Sequence, residues 1–156
     1  MERAPVFTAD EAADLARRLR EEGKQIVFTN GCFDILHPGH LEILERARKL
    51  GDFLFVGLNS DDSVKRLKGH SRPVQRLDSR AAVLASLRCV DCVIPFSQDT
   101  PLELINGILP DILVKGGDYT VEQVIGAQTV IGNGGRVEII PLVKGYSTTA
   151  VIKELH

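Results

Sequence analysis

The stretch Val27–His40, VFTNGCFDILHPGH, leaves an apolar β-type run, crosses a Gly-rich turn and enters a helix. Pro38 suits a first helical turn and Gly39 lets backbone approach closely, while His37 and His40 flank the pair three residues apart. A strand that feeds a helix in this way aims backbone amides and a helix N-terminus at whatever lies beyond the strand. Such an end carries about half a positive charge and attracts anions, phosphate above all. Neither G-x-G-x-x-G nor G-x-x-x-x-G-K-[ST] is present, so the dinucleotide fingerprint and the P-loop are both absent. Zinc is the obvious rival for two imidazoles. A zinc-binding helical pair is usually spaced i, i+4 beside a glutamate, and here the spacing is i, i+3 without that acid.

Outward from this stretch the chain alternates strand and helix. Thr8 and Glu11 have capping-box spacing before an apolar stripe of Ala12, Leu15, Ala16 and Leu19, and Gly23 ends that helix. Strands are predicted over 24–30, 52–59, 89–96, 110–117 and 136–142. Helices are predicted over 39–51, from Ser60 to Gly69, over 77–88, from an N-cap at Thr100 to about Ile108, from Thr120 toward the GNGG at 132–135, and over 147–155. Near-continuous apolar strands separated by helices predict a parallel sheet of about five strands with helices on both faces. Right-handed crossovers make this a doubly wound, Rossmann-like α/β fold, with 1–156 one domain and 1–23 an N-terminal helical extension. In such a sheet the ligand lies beyond the carboxyl ends of the strands, here the segments 30–40, 58–63, 68–76, 115–119 and 142–149.

Those segments hold the unusual residues. Asp34 is either the carboxylate for a Mg²⁺ riding on a polyphosphate or a turn residue bonding its own backbone. Lys65 to Arg80 is the one locally basic part of the chain, and Lys68 and Arg72 sit in its Gly- and Pro-punctuated loop. Arg80 and Arg88, eight apart on a predicted helix, reach the site or form structural ion pairs. Gly116 and Gly117 end the fourth strand and allow a flat ring or ribose against backbone, with Asp118 next to accept from a hydroxyl or base amine, or simply to make a turn. Lys144 and Gly145 precede Ser147, Thr148 and Thr149, where one hydroxyl suffices for an N-cap and three suggest a second phosphate cradle.

Composition sets the outer limits. The 156 residues with a net charge of −2 give no global reason to expect nucleic acid or a membrane surface as partner. No apolar run approaches the roughly 20 residues of a membrane span, and the N-terminus lacks a signal-peptide core, so the expected compartment is the cytoplasm. Cys89 and Cys92 form a C-x-x-C, but with no further ligands at zinc spacing they read as reduced packing residues.

GCFDILHPGH followed by GYSTTAVI (145–152) resembles the cytidylyltransferase-like branch of the nucleotidyltransferase superfamily, marked by a G-x-F-D loop, an H-x-G-H pair and a late S-T-T. Within it, FTNGCFDILHPGH, LKGHSRPV, VKGGDYTVEQV and GYSTTAVI are similar to the adenylyltransferases of ADP-heptose synthesis. Those enzymes join ATP to D-glycero-β-D-manno-heptose 1-phosphate, a lipopolysaccharide precursor. In many bacteria the domain follows a sugar kinase; none precedes it here, and a stand-alone form is expected. The resemblance implies His37, His40, Lys68 and Arg88 as catalytic groups. It implies that ATP is held by backbone around Cys32 and Phe33, by Asp118 and by Ser147, Thr148 and Thr149, and the loop reading adds Asn30, Gly31, Asp34, Gly39, Gly116, Lys144 and Gly145 to the expected nucleotide contacts. From their places in or beside the binding-end segments, Asp61, Arg72 and Arg80 are expected to meet the acceptor and Asp34 a Mg²⁺, while the resemblance implies a homodimer as the assembly. One departure stands out: the cytidylyltransferases carry an arginine where this chain has Leu142, and Lys144 is the nearest replacement charge. The rival readings are a glycerol-3-phosphate cytidylyltransferase, an FAD synthetase-like enzyme, a non-catalytic nucleotide-binding module, and a zinc or redox protein built on Cys89 and Cys92.

Overall fold

Five parallel strands, β1 (Ile26–Gly31), β2 (Phe53–Asn59), β3 (Cys92–Phe96), β4 (Ile112–Gly116) and β5 (Arg136–Ile140), form one sheet in the order β3-β2-β1-β4-β5. This is a computed structural model describing residues 1–156. The helices are α1 (Ala9–Glu21), α2 (Pro38–Arg48), α3 (Asp61–Lys68), α4 (Leu77–Ala85), α5 (Leu102–Ile108), α6 (Ala127–Gly132) and α7 (Thr148–Leu155), with a 3₁₀ turn at Val121–Gln123. Successive strand residues face opposite sides, so β1 is apolar throughout its first half for two reasons. Ile26 and Phe28 pack into the layer of α1, α5 and α6, and Val27 packs into the layer of α2 and α4. The doubly wound expectation holds.

The sheet order reverses at β1, and the pairing shows why a crevice opens there. β1 pairs with β2 along its whole length, from Ile26↔Phe53 to Gly31↔Leu58. With β4 it pairs only at Val27↔Ile112 and Phe28↔Leu113. Beyond these the carboxyl ends of β1 and β4 separate, bridged once where the Thr29 hydroxyl donates to the Val114 carbonyl at 3.0 Å. That is the topological switch point, the place where α/β sheets bind ligands.

Several boundaries move, each for a local reason. The predicted helix over 77–88 stops at Ala85, and Ser86 turns its hydroxyl back onto the Ala82 carbonyl at 2.7 Å. Helix α5 starts at Leu102 with Pro101 at the cap; the Thr100 hydroxyl receives only a long 3.5 Å bond from Leu102 N–H. The helix predicted from Thr120 splits into the 3₁₀ turn and α6. Gly126 separates them at φ +87, where a side chain would stand 2.7 Å from Ile105 Cδ1. Residues 1–23 are no extension. Ala12, Ala16 and Leu19 of α1 lie in the core, the Thr8–Glu11 capping box forms, and residues 5–7 pair with Val93 at the sheet edge. Cys92 is buried in β3, its thiol pushed up to about 12 by burial, and Cys89 and Cys92 are unbridged. No helix is long and apolar enough to cross a membrane.

Candidate active site

Helix α2 begins with a reciprocal cap made by its two histidines. His37 is the N-cap, and its Nδ1 accepts from Gly39 N–H at 3.1 Å. Three residues on, His40 Nδ1 accepts from His37 N–H at 3.2 Å. Both rings therefore use Nδ1 as an acceptor, and a neutral imidazole so bound carries its proton on Nε2. Burial lowers the pKa of both, and His40, also beside His37, falls to about 4. The pair is neutral at pH 7, stacked with ring centroids 3.8 Å apart, and lines the switch-point cleft as two N–H donors. Gly39 is needed because a Cβ would stand 2.9 Å from His37 Cε1. Its amide is committed to His37, so the helix start presents imidazole rather than that backbone N–H.

The preceding loop is held in an unusual shape. Phe33 and Ile35 have φ of 46° and 53°, the left-handed region that bulky side chains avoid. Asp34 between them explains how this persists. Its carboxylate is 1% exposed and accepts from Val74 N–H (2.8 Å), Gln75 N–H (3.0 Å) and Arg72 Nε (3.0 Å), while its carbonyl accepts from the Thr148 hydroxyl at 2.7 Å. Burial alone would raise its pKa; those amides and the guanidinium outweigh burial and hold it below the usual carboxylate range. The Mg²⁺ assignment to Asp34 is thus corrected: both oxygens are already committed to nitrogen donors, and the residue anchors loop 72–75 to the site. No group of three or more His, Cys, Asp or Glu side chains offers a metal cage.

The cleft, of about 570 Å³, is lined by the expected Asn30, Gly31, Cys32, Phe33, His37, Gly39, His40, Lys68, Arg72, Ser147, Thr148 and Thr149. Ser147 caps α7 by accepting from Ala150 N–H at 3.0 Å, and Thr148 ties the helix to the Asp34 loop, which leaves Thr149 as the hydroxyl with no protein partner. Burial raises the Cys32 thiol pKa against the pull of Lys68, Arg80 and Arg72, so it lines the cleft as a neutral group.

Other expected residues stand elsewhere. Arg80 is 1% exposed and donates to the carbonyls of Cys32, Asn59 and Gln75, all at 2.8 to 2.9 Å, and to Asp61 at 2.7 Å. Arg80 and Asp61 are consequently braces of the site rather than acceptor ligands. Arg88 lies past the end of α4, exposed, in the turn that leads into β3 and so at the end of the sheet opposite the cleft. Gly116 backs onto α2: a Cβ there would stand 2.4 Å from Ile43 Cδ1, so its bareness serves helix packing rather than a nucleoside platform. Asp118 is exposed and outside the cleft lining, as are Lys144 and Gly145, which form an exposed turn with Gly145 at φ +87. The unforeseen cation is Lys115 of β4, which lines the cleft with its Nζ 4.9 Å from the Tyr119 ring centre. Its signal was present: it is the one charge in the apolar strand ILVKG. Asn59, Asp99 and Thr100, from the ends of β2 and β3, also line the cleft unforeseen.

A switch-point cleft with an H-x-G-H pair on one side and a hydroxyl-rich helix start on the other defines a nucleotidyltransferase-type domain. The chain belongs to the cytidylyltransferase-like family, which it matches over residues 28–154. It is 54% identical over 151 residues to the bifunctional protein HldE of Actinobacillus pleuropneumoniae serotype 5b, covering 97% of this chain and 32% of that protein. To the bifunctional protein HldE of Syntrophotalea carbinolica it is 58% identical over 136 residues, 87% of this chain and 28% of the relative. The chain therefore spans about a third of the length of these relatives. Among solved structures it is similar to the lipopolysaccharide core biosynthesis protein of Thermoplasma volcanium, with TM-score 0.62 and 31% identity over 80% of this chain and all of that one. A pantoate-β-alanine ligase of Francisella tularensis, at 14% identity and TM-score 0.62 over 97% of this chain and 76% of that one, shares the fold.

Proposed function

We propose that this chain transfers AMP from ATP to a sugar 1-phosphate, D-glycero-β-D-manno-heptose 1-phosphate first among candidates, yielding ADP-heptose and pyrophosphate. An acceptor phosphate oxygen attacks the α-phosphorus of ATP, a new P–O bond forms, and the bond to the β-phosphate oxygen breaks with pyrophosphate leaving in line. A phosphate monoester loses its second proton near pH 6, so the nucleophile is already anionic at pH 7 and no general base is needed. The protein's work is positioning and charge stabilisation. The observation that carries this reading is the neutral, stacked His37–His40 pair, whose Nδ1 atoms are held by backbone amides and whose Nε2–H groups are left for the cleft. Lys68, Arg72 and Lys115 supply positive charge around it, and Ser147 and Thr149 stand at the α7 start where the leaving phosphates would lie.

The high identity to HldE proteins supports the ADP-heptose assignment. Leu142, apolar and lining the cleft where cytidylyltransferases have arginine, supports ATP over CTP. Mg²⁺ would travel on the triphosphate, since Asp34 is committed elsewhere and Asp99 pairs with Arg66 at 2.7 Å. A homodimer in the cytoplasm is the expected setting, checked by sedimentation and fractionation. Pyrophosphate release is to be measured with ATP and CTP against heptose 1-phosphate in both anomeric forms, glycerol 3-phosphate and FMN. The reading expects turnover with ATP and a heptose 1-phosphate; turnover with CTP and glycerol 3-phosphate alone, or tight ATP binding without turnover on any acceptor, overturns it.

A further inference from the structure

The cleft has a second polar wall that the phosphate chemistry leaves unused. Its centre is Asn59, the last residue of β2 and only 4% exposed. The side-chain amide donates from Nδ2 to Ser63 Oγ at 2.9 Å. Ser63 in turn donates its single hydroxyl proton to the Gln98 carbonyl at 3.1 Å, so its oxygen must accept from Asn59, and the amide cannot be flipped. The backbone is equally fixed, because the Asn59 carbonyl accepts from Arg80 Nη1 at 2.8 Å. The opposite prong, Oδ1, receives no hydrogen bond from the protein. No fully buried side-chain polar atom in the molecule lacks a partner, so Oδ1 meets open space, and the open space lined by Asn59 is the cleft. A nearly buried acceptor, rigidly aimed at a cavity and unpartnered, is built for a donor that comes from outside.

Its place in the sheet says which donor. In the order β3-β2-β1-β4-β5 the histidine pair follows β1, the start of α7 follows β5, and Asn59 ends β2. If pyrophosphate departs toward α7, in-line displacement brings the nucleophile from the other side of the histidines, the side of β2 and β3. Thr100, which follows β3, lines that side too, and Lys68 at the end of α3 can meet the incoming phosphate. We infer that Asn59 Oδ1 accepts a hydrogen bond from a sugar hydroxyl of the acceptor and so helps select a phosphorylated polyol, an assignment that rests on the adenylyl-transfer reading. Arg80 and Ser63 are its positioning residues: they touch no substrate and hold the amide in one orientation.

The test is steady-state kinetics of pyrophosphate release with Asn59→Ala and the more space-filling Asn59→Leu, alongside calorimetric ATP binding. Acceptor KM should rise roughly 5- to 150-fold, the effect of leaving one buried polar partner unmade, while ATP affinity stays within about two-fold. With the wild type, one monodeoxy sugar 1-phosphate should show the same loss, and that analogue should be no worse than the full acceptor for Asn59→Ala. The assignment is overturned if acceptor KM is unchanged, if ATP affinity falls instead, or if every deoxy analogue serves the wild type as well as the parent. Should neither variant fold, the wild-type analogue series alone decides. Wild-type protein that turns over no phosphorylated polyol overturns the adenylyl-transfer reading and the acceptor assignment with it; an active wild type with unaltered variants overturns the assignment alone.

Discussion

At the scale of single residues, His37 and His40 each do two jobs, and the jobs separate. His37→Ser keeps an oxygen able to cap Gly39 N–H but removes the Nε2 donor. Turnover should fall on the order of 10²–10³-fold while the melting temperature stays within a few degrees, read by pyrophosphate release and calorimetry. Turnover kept near wild type in this variant would make His37 a cap and nothing more. The proton balance of His40 gives a second prediction. Its folded pKa of about 4 lies below the ordinary 6.5, so above pH 6.5 the ring is neutral folded or unfolded. As the pH falls from there toward 4, the unfolded chain takes up a proton that the folded one refuses, and stability declines. Denaturant unfolding at pH 7 and 4.5 should show a larger loss for the wild type than for His40→Gln. Asp34 is shifted in the same direction for a different reason: backbone amides and Arg72 favour its charged form, so its held-down pKa stabilises the fold above the ordinary carboxylate range, and that contribution disappears on further acidification. Asp34→Asn should lower turnover without altering the Mg²⁺ concentration needed for half-maximal rate; a shifted Mg²⁺ requirement would return the residue to the metal.

At the scale of elements, α7 is attached differently from the other long helices. None of its residues is buried, and the Thr148 hydroxyl on the Asp34 and Ile35 carbonyls is its side-chain tether to the domain. Thr148→Val keeps shape and removes that donor, a change of about 1 kcal/mol. Amide exchange over 147–155 should quicken and kcat/KM should drop, while exchange in β1 and β2 stays put, because the core has lost no contact. Uniform quickening across the sheet would mean that α7 is part of the global folding unit. Helix α2 is the converse case. Ile43 lies against bare Gly116, so the helix that carries the histidines is seated directly on β4. That contact was invisible in the sequence: a glycine pair ending a strand looks the same whether it admits a ligand or a neighbouring helix.

At the scale of the molecule, the site is assembled by one buried cation. Arg80 joins the loop after β1, the end of β2, the start of α3 and loop 72–75 through four hydrogen bonds. Arg80→Met should destabilise by about 3 kcal/mol, since the carbonyls and Asp61 lose a charged partner at once. In a chain of this size that is a fall in melting temperature on the order of 10 °C, with activity lost at temperatures where β-sheet circular dichroism persists. Activity retained at full stability would show that the four segments hold themselves.

The alternation of apolar strands and capped helices was enough, alone, to specify a doubly wound parallel sheet, because burial on both faces demands that pattern and right-handed crossovers leave few ways to connect it. The same pattern placed the loops after β1, α3 and β5 at the binding end, and with them His37, His40, Lys68 and the Ser147–Thr149 run. Tertiary structure decided which charges face the cleft. Asp34, Arg80 and Asp61 satisfy one another's segments, Arg88 falls at the far end of the sheet, and Lys115 and Asn59 turn inward. A buried charge needs partners from several elements at once, and those partners are distant in sequence: Asp34 meets Val74, Gln75 and Thr148, and Arg80 meets Cys32 and Asn59. Local spacing encodes the direction of a strand or helix, whereas the fate of a charged side chain depends on neighbours that only folding supplies.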